Sequence, residues 1–199
     1  MKTAIFASVA LLSLTAPALA ATTDQYSFKG ESASAGFYQN DGCSYTSVSV
    51  YAFDNATKNA PGAPVEQKEA SLYYSNYNYC TGTGSYGYGS SKDITFTAKN
   101  SLQSASLTGN FIVYDYLTGA FRNATVDLNW TGTGDISRGN SHSISQGPGY
   151  LSKYRSVGAY RDASVTGSVV LDGVNLTTNL SSYGYLNSSN NGSLFITKQ

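Results

Sequence analysis

Apolar and polar side chains alternate strictly along residues 121–131. The apolar positions are Ala124, Val126, Leu128 and Trp130. Successive side chains of a β-strand point to opposite faces of the sheet, so this segment predicts a strand with one buried face and one solvated face. An α-helix repeats every 3.6 residues and would scatter the same apolar positions around its surface.

Turn sequences interrupt other alternating segments at residues 118–119 (Thr-Gly) and 172–173 (Asp-Gly). Asp-Gly between alternating runs is a strong signal for a β-hairpin, because both turn residues must adopt positive φ values. Each of these turns therefore predicts a hairpin between the runs on either side of it. Residues 190–192 (Asn-Asn-Gly) predict a third hairpin near the end of the chain.

The N-terminal half is less regular, and its strands are predicted to be short: residues 25–29, 36–39, 44–53, 70–79 and 94–98. Residues 54–64 contain Pro61 and Pro64 among residues that favour turns, so we expect a long surface loop there. Gly167 falls on the inner face of its strand, which predicts a bulge or a close approach of two backbones.

The composition supports an all-β fold. Charged residues make up 12% of the chain, about half of the usual share, while 17 Tyr and 20 Gly are present. These residues favour strands and tight turns over solvent-exposed helices, and no segment has helical periodicity over more than two turns. We therefore predict an antiparallel β-sandwich of about ten short strands, with a β-barrel as the alternative.

The first twenty residues have the three parts of a secretory signal peptide. Lys2 supplies a positive charge, residues 4–14 are almost entirely apolar, and residues 18–20 (Ala-Leu-Ala) precede a cut after Ala20. The apolar run is shorter than the roughly 20 residues that a membrane-spanning helix needs. We expect a single all-β domain over residues 21–199, secreted or periplasmic after cleavage, without a transmembrane segment.

Two cysteines, Cys43 and Cys80, are present in the chain. In an exported protein such a pair predicts a disulfide bond. A catalytic thiol would need a histidine partner, and the chain has one histidine, at position 142. A zinc site needs about four ligands from Cys, His, Asp or Glu, and no short-spaced cluster of these residues occurs. We therefore predict a structural Cys43–Cys80 disulfide, no metal site and no cofactor.

The charge balance argues against nucleic acid as a partner. The chain has 12 basic and 12 acidic residues, and removal of Lys2 with the signal peptide leaves 11 against 12. A net charge near zero gives no electrostatic attraction to a phosphate backbone or to an anionic membrane. The classes that remain are binding, structural and enzymatic proteins of the cell exterior.

The signals for catalysis are weak. His142 follows Ser141, but the chain lacks the Gly-x-Ser-x-Gly elbow of many serine hydrolases. A glycosidase needs two facing carboxylates, and Asp115 and Asp127 lie on adjacent strands of a predicted hairpin, so we expect them to be the pair that comes closest. We assign no catalytic residue, and the sequence favours a protein without catalysis.

A small cationic patch is a further candidate for binding. Arg155 and Arg161, with Lys153, lie in sequence near tyrosines 150, 154 and 160. Together these side chains would suit an anionic ligand. The alternative is that the cations belong to an edge strand, where charge discourages aggregation.

The most distinctive local feature is a tyrosine-rich segment at residues 73–89. Tyrosine offers a rigid apolar ring and a hydroxyl group at low entropic cost, which is why binding surfaces favour it. We predict that ligand-binding residues lie here: Tyr73, Tyr77, Tyr79, Tyr86 and Tyr88. The alternative is that these rings only pair across the strands of a sheet.

Together these features predict an exported, non-catalytic β-sandwich that binds a glycan or a cell-surface partner through its tyrosine-rich surface. A structural or self-associating surface protein is the first alternative, because low charge and long polar strands permit edge-to-edge assembly. A hydrolase of an extracellular polymer is the second alternative. The sequence sets no oligomeric state.

Overall fold

The computed structural model describes residues 21–99 and 101–197. The predicted signal peptide lies outside these residues. The described part of the chain contains eleven strands and no helix: β1 (Thr22–Asn40), β2 (Ser44–Ala60), β3 (Val65–Asn78), β4 (Thr83–Ser91), β5 (Ile94–Ala98), β6 (Ser104–Asp115), β7 (Phe121–Gly132), β8 (Ser137–Gly147), β9 (Tyr150–Leu171), β10 (Val174–Asn175) and β11 (Ser181–Thr197). Every pair of neighbouring strands is antiparallel, which confirms the all-β prediction. Over the same residues, none of the secondary structure is a helix that could cross a membrane.

Strand pairing runs around the sheet and returns to its starting point. The order is β1, β2, β3, β4, β6, β7, β9 and β11, and β11 pairs again with β1. One link in this circuit, between β4 and β6, is much shorter than the others. Strands β4 and β6 share two residue pairs, Gly87 with Asp115 and Tyr88 with Tyr114.

The circuit encloses one hydrophobic core built from alternate residues of its strands. The four apolar positions predicted on β7 are all at most 2% exposed, so the period-two interpretation is confirmed. The largest of them, Trp130, donates a hydrogen bond of 2.8 Å from Nε1 to the backbone carbonyl of Ser34 on β1. A buried indole N–H needs such a partner, and this bond joins opposite parts of the circuit.

Two local predictions in the C-terminal half are confirmed. Asp172 and Gly173 both have positive φ values, +47° and +85°, and connect β9 to β10. Gly167 has a φ of +119°, and a Cβ atom at this position would collide with the backbone carbonyl of Asp127. Because the β7–β9 register continues unbroken through Gly167, its role is the close backbone approach and not a bulge.

Two predicted loops are strands in the structure. The prediction of a surface loop at residues 54–64 is wrong for residues 54–60. These residues belong to β2, which continues to Ala60 between β1 and β3. The third hairpin is also wrong, since residues 190–192 pair on both sides within the continuous strand β11. Ladder hydrogen bonds to two neighbours outweigh the turn preference of Asn and Gly.

Candidate functional site

The disulfide connects two turns at one end of the sheet. Cys43 lies in the turn between β1 and β2, Cys80 lies in the turn between β3 and β4, and their sulfur atoms are 2.07 Å apart. The backbone N–H of Tyr79 donates a hydrogen bond of 2.6 Å to the carbonyl oxygen of Cys43. The predicted disulfide is therefore confirmed, and it fixes the turn at which the tyrosine-rich segment reverses direction.

The five tyrosines of the predicted site are all exposed, by 38–63%. Tyr73 and Tyr77 occupy alternate positions of β3, and Tyr86 and Tyr88 do the same on β4, so these four rings share the outer face of the sheet. Tyr79 follows β3 and contacts Tyr77, with ring centroids 5.1 Å apart. The structure thus brings the five residues onto one surface.

A row of aromatic residues crosses four strands of this surface. Tyr73 on β3 lies opposite Tyr88 on β4, Tyr88 lies opposite Tyr114 on β6, and Tyr114 lies opposite Phe121 on β7. Strands in a sheet are about 4.8 Å apart, so the four residues extend over about 14 Å. Phe121 is 74% exposed, which is unusual for a phenylalanine in a folded domain.

Tyr116 completes the surface, and its ring stacks on that of Tyr86 with centroids 5.4 Å apart and an interplanar angle of 18°. We call the whole set the aromatic face: Tyr73, Tyr77, Tyr79, Tyr86, Tyr88, Tyr114, Tyr116 and Phe121. Sequence reasoning missed Tyr114, Tyr116 and Phe121. Alternation with the buried positions of β6 and β7 marks Tyr114 and Phe121 as outward-facing, but only strand pairing places them beside the tyrosines of β3 and β4.

A buried polar network lies directly beneath the aromatic face. The Asp115 carboxylate is 1% exposed. Its Oδ2 accepts hydrogen bonds from the hydroxyls of Tyr74 and Ser85 at 2.7 and 3.1 Å, and its Oδ1 accepts from the backbone N–H groups of Leu117 and Thr118. Burial alone would raise the pKa of Asp115, but these hydrogen bonds outweigh it and lower the pKa to about 2.

The network extends to the neighbouring strands through Arg122 on β7. Its guanidinium Nη1 lies 3.7 Å from Oδ2 of Asp115, and its Nε donates a hydrogen bond of 2.7 Å to Asp172 at the β9–β10 turn. The hydrogen bond with Asp172 raises the pKa of Arg122, and burial opposes this rise. The Asp115 carboxylate therefore stays ionised at neutral pH, and both of its oxygens already accept hydrogen bonds from the protein. This arrangement suits a structural clamp that holds β3, β4, β6 and β7 together, and it does not suit a catalytic acid or base.

The clamp acts where β4 and β6 meet, and Gly87 makes that contact possible. A Cβ atom at Gly87 would lie 2.7 Å from both the carbonyl oxygen of Tyr114 and the ring of Tyr74. The backbone N–H of Tyr116 also donates a hydrogen bond of 3.0 Å to the carbonyl oxygen of Tyr86. These contacts set the positions of Tyr88 beside Tyr114 and of Tyr86 beside Tyr116.

A shallow depression of about 540 Å³ adjoins the aromatic face between the end of β4 and the outer side of β6 and β7. Hydroxyl and amide groups line it, from Ser90, Asn110, Asn123 and Thr125, and Ile112 contributes an apolar wall. Lys92 and Asp93 are also part of its lining. The surface beside the aromatic row therefore offers neutral hydrogen-bonding groups at the edge of exposed rings.

The carboxylate pair expected from the sequence does not form. Asp115 points into the interior, whereas Asp127 is exposed on the outer face of β7 opposite Thr108. Asp127 instead lines a second depression, of about 390 Å³, together with Asp93. No group of three or more His, Cys, Asp or Glu side chains that could hold a metal ion occurs in residues 21–99 and 101–197.

The cationic patch and the histidine are also arranged differently from the sequence expectation. Lys153 and Arg155 alternate with Tyr154 along β9, so the cations and the tyrosine lie on opposite faces of the sheet. This part of β9 is paired on both sides, with β8 and β11, and is not an edge. His142 and Ser141 are exposed neighbours on β8 and also face opposite ways.

A second aromatic group occupies the outer face of β1, β11 and β9. Its members are Tyr38, Tyr183, Tyr185 and Tyr160, with neighbouring ring centroids 5.4–6.1 Å apart. The hydroxyl of Tyr160 donates a hydrogen bond to Asp162, and this bond raises the pKa of Tyr160 to about 12. On one side of the circuit, β2 separates this group from the aromatic face; on the other side β9 pairs directly with β7, through residues 163–171.

Comparison with known proteins assigns no family. No family model matches the chain, and no curated protein matches it. Among solved structures, this chain is similar to the crystal structure of a candidate AttH protein from Nitrosomonas europaea, with 10% sequence identity and a TM-score of 0.28. The match covers 86% of this chain and 52% of the other, so the chain spans about half the length of that structure. A similarity at this level carries no argument about function.

Proposed function

We propose that this protein is a non-catalytic binding protein of the cell exterior, and that it recognises a neutral glycan through the aromatic face. The observation that carries the proposal is the row of Tyr73, Tyr88, Tyr114 and Phe121 across four strands. Sugar rings have apolar C–H faces and hydroxyl edges. A flat set of rigid aromatic rings covers the apolar faces at low entropic cost.

The neighbours of the row favour a neutral ligand. Four of the positions next to the row on the same face are serines, Ser49, Ser71, Ser75 and Ser90, and the others include Tyr86, Ile112, Tyr116 and Asn123. Serine hydroxyls donate and accept hydrogen bonds without attracting either sign of charge. The amide groups of Asn110 and Asn123 in the adjoining depression add the bidentate donors and acceptors that sugar hydroxyls need.

The exposed rings of the aromatic face also favour a role in binding, because exposing them is costly in free energy. Large aromatic side chains at the surface lose the free energy that burial would supply, about 25 cal/mol for each Å² of apolar surface. Contiguous exposed patches in soluble proteins therefore mark sites of interaction. The polar network under the face keeps the rings in place before any ligand arrives, so binding does not need to order them.

The proposal is tested by titrating the mature protein with soluble neutral polysaccharides in a calorimeter. Tyr73→Ala and Tyr88→Ala are the test variants. Tyr154→Ala and Tyr38→Ala are matched controls, because Tyr154 is 42% exposed against 40% for Tyr73, and Tyr38 is 46% exposed against 45% for Tyr88. We expect saturable binding that weakens at least tenfold in each test variant and remains unchanged in each control.

Three results would overturn the proposal. One is the absence of saturable binding across neutral polysaccharides of different linkage. Another is equal loss in test and control variants, which would remove the aromatic face as the site. The third is release of new reducing ends that disappears in Asp93→Asn or Asp127→Asn, because that result would establish the hydrolase alternative at the depression these two carboxylates share.

A further inference from the structure

The sheet continues well beyond the hydrophobic core. We call this part the extension: residues 22–32 of β1, 53–60 of β2, 65–69 of β3, all of β8, 150–160 of β9 and 187–197 of β11. Except for Gly30, every residue of the extension is at least partly exposed, and both faces meet solvent. The extension is therefore a single layer of six strands, and its two edges, β8 on one side and residues 65–69 on the other, have no further strand beside them among residues 21–99 and 101–197.

The two edges differ in how well they are protected against pairing with another strand. Residues 65–69 carry Glu66, Lys68 and Glu69 within five positions, which is the usual protection of an edge by charge. The short edge strand β5 is likewise followed by Lys99 and preceded by Lys92 and Asp93. Such charges raise the cost of bringing a second backbone alongside.

Strand β8 lacks this protection. Its eleven residues contain no Pro, Lys, Asp or Glu, Arg138 near one end is the one residue among Lys, Arg, Asp and Glu in it, and ten of the eleven are exposed. All eleven pair with β9 in an unbroken register, so no bulge turns the edge away. About half of the backbone N–H and C=O groups of such a strand point away from its partner and are free to pair.

The sequence of β8 is complementary to itself. In an antiparallel pair centred on Ser141, Arg138 would lie opposite Ile144, and Asn140 would lie opposite His142. The remaining pairs within residues 137–145 join only Ser and Gly, whose small side chains let two backbones approach, and Gln146 and Gly147 extend beyond the paired segment. No charged group meets one of the same sign, so a second copy of this strand meets no electrostatic barrier at this edge.

We propose that two copies of this protein pair antiparallel through β8 and form a symmetric dimer whose extensions make one continuous sheet of twelve strands. The interface is isologous, because the same strand contributes from both copies, and such an interface closes on itself as a dimer. This inference is independent of the glycan proposal, since β8 and the aromatic face share no residue. The dimer would place two aromatic faces in one molecule, which increases apparent affinity for a repeating polymer.

The test uses light scattering after size-exclusion chromatography of the mature protein over a wide range of concentration. Ser141→Lys and Ser141→Glu each place like charges against each other at the centre of the proposed pair. We expect the wild type to reach twice the monomer mass, each variant to stay monomeric, and an equal mixture of the two variants to recover the dimer mass. Thr166→Lys is the control, because Thr166 is exposed on an internal strand, and it should leave the dimer unchanged.

Recovery in the mixture also shows that both variants are folded, because unfolded chains would not pair. The proposal is wrong if the wild type is monomeric at every concentration, or if either variant alone remains a dimer. Growth into species larger than a dimer would also overturn it, because an open series requires head-to-tail contacts between different edges. If the wild type is a monomer and β8 pairs instead with an added strand of another protein, the partner of β8 is not a second copy of this chain and the proposal is wrong.

Discussion

The hydroxyl of Tyr74 donates a hydrogen bond of 2.7 Å to the carboxylate of Asp115, although the two residues are 41 positions apart in the chain. This bond crosses β4 to join β3 with β6, at the point where the circuit of strands is held by two residue pairs. The two residues are buried, while Tyr73, Tyr114 and Tyr116 beside them are exposed. The strength of the fold at its narrowest link and the arrangement of the aromatic face thus depend on the same contact.

Replacing Asp115 with Asn should destabilise the protein strongly. Hydrogen bonds to a charged group contribute about 1.5–3 kcal/mol each, and the substitution leaves buried donors with a weaker acceptor. We expect the free energy of unfolding in urea to fall by roughly 3 kcal/mol. Asp127→Asn is the control, because Asp127 is exposed on the same hairpin, and it should change stability by no more than about 0.5 kcal/mol. Equal losses of stability in the two variants would contradict the stabilising role of the buried hydrogen bonds of Asp115.

The contribution of Asp115 should depend on pH in the acid range. The folded protein lowers the pKa of Asp115 from 3.8 to about 2, so the carboxylate stabilises the fold fully above pH 4 and loses this effect as the pH falls through about 2. At 1.36 kcal/mol for each pKa unit, a shift of this size corresponds to roughly 2 kcal/mol. The measurement is the difference in unfolding free energy between wild type and Asp115→Asn, which should shrink between pH 4 and pH 2. A difference that stays constant over this interval would contradict the assignment.

Gly87→Ala should separate β4 from β6. The added methyl group would lie 2.7 Å from both the Tyr114 carbonyl oxygen and the Tyr74 ring, closer than Cβ atoms pack. We expect a loss of about 1–3 kcal/mol, as for other overpacked sites, and weaker glycan binding although every tyrosine is retained. Gly192→Ala on β11 is the matched control, since the nearest atom to its Cβ position is the carbonyl oxygen of Tyr26 at 3.8 Å, an ordinary van der Waals distance. Unchanged stability of Gly87→Ala would show that the β4–β6 contact is looser than described.

Removal of the disulfide should lower the stability of the two turns that it joins, beside Tyr77 and Tyr79. Cys43 and Cys80 are 37 positions apart, a separation for which the chain-entropy relation gives about 4 kcal/mol. The double variant Cys43→Ser/Cys80→Ser should therefore lose about 2–4 kcal/mol of unfolding free energy. Thiol titration of the denatured, unreduced wild type supplies the independent check. Two reactive thiols in that experiment would mean that the bond is absent.

Elements with a local cause were predictable from the sequence. Strand β7 follows from strict alternation, and the Asp172-Gly173 turn follows from two residues that tolerate positive φ. The disulfide follows from two cysteines that have no alternative partner. The tyrosines of β3 and β4 were recognised as a candidate surface because their number and spacing are visible in the chain, whereas Tyr114 and Phe121 join them only through strand pairing.

The all-β class, the disulfide and five of the eight rings of the aromatic face follow from the sequence alone, because each depends on neighbouring residues or on composition. Which strands meet depends instead on contacts between residues that are distant in the chain. Residues 190–192 have the chemistry of a turn but lie in β11, since hydrogen bonds to both β1 and β9 outweigh a local preference. Asp115 resembles any other scattered carboxylate in the sequence. It is the centre of the clamp because Tyr74, Ser85 and Arg122, from three other strands, converge on it.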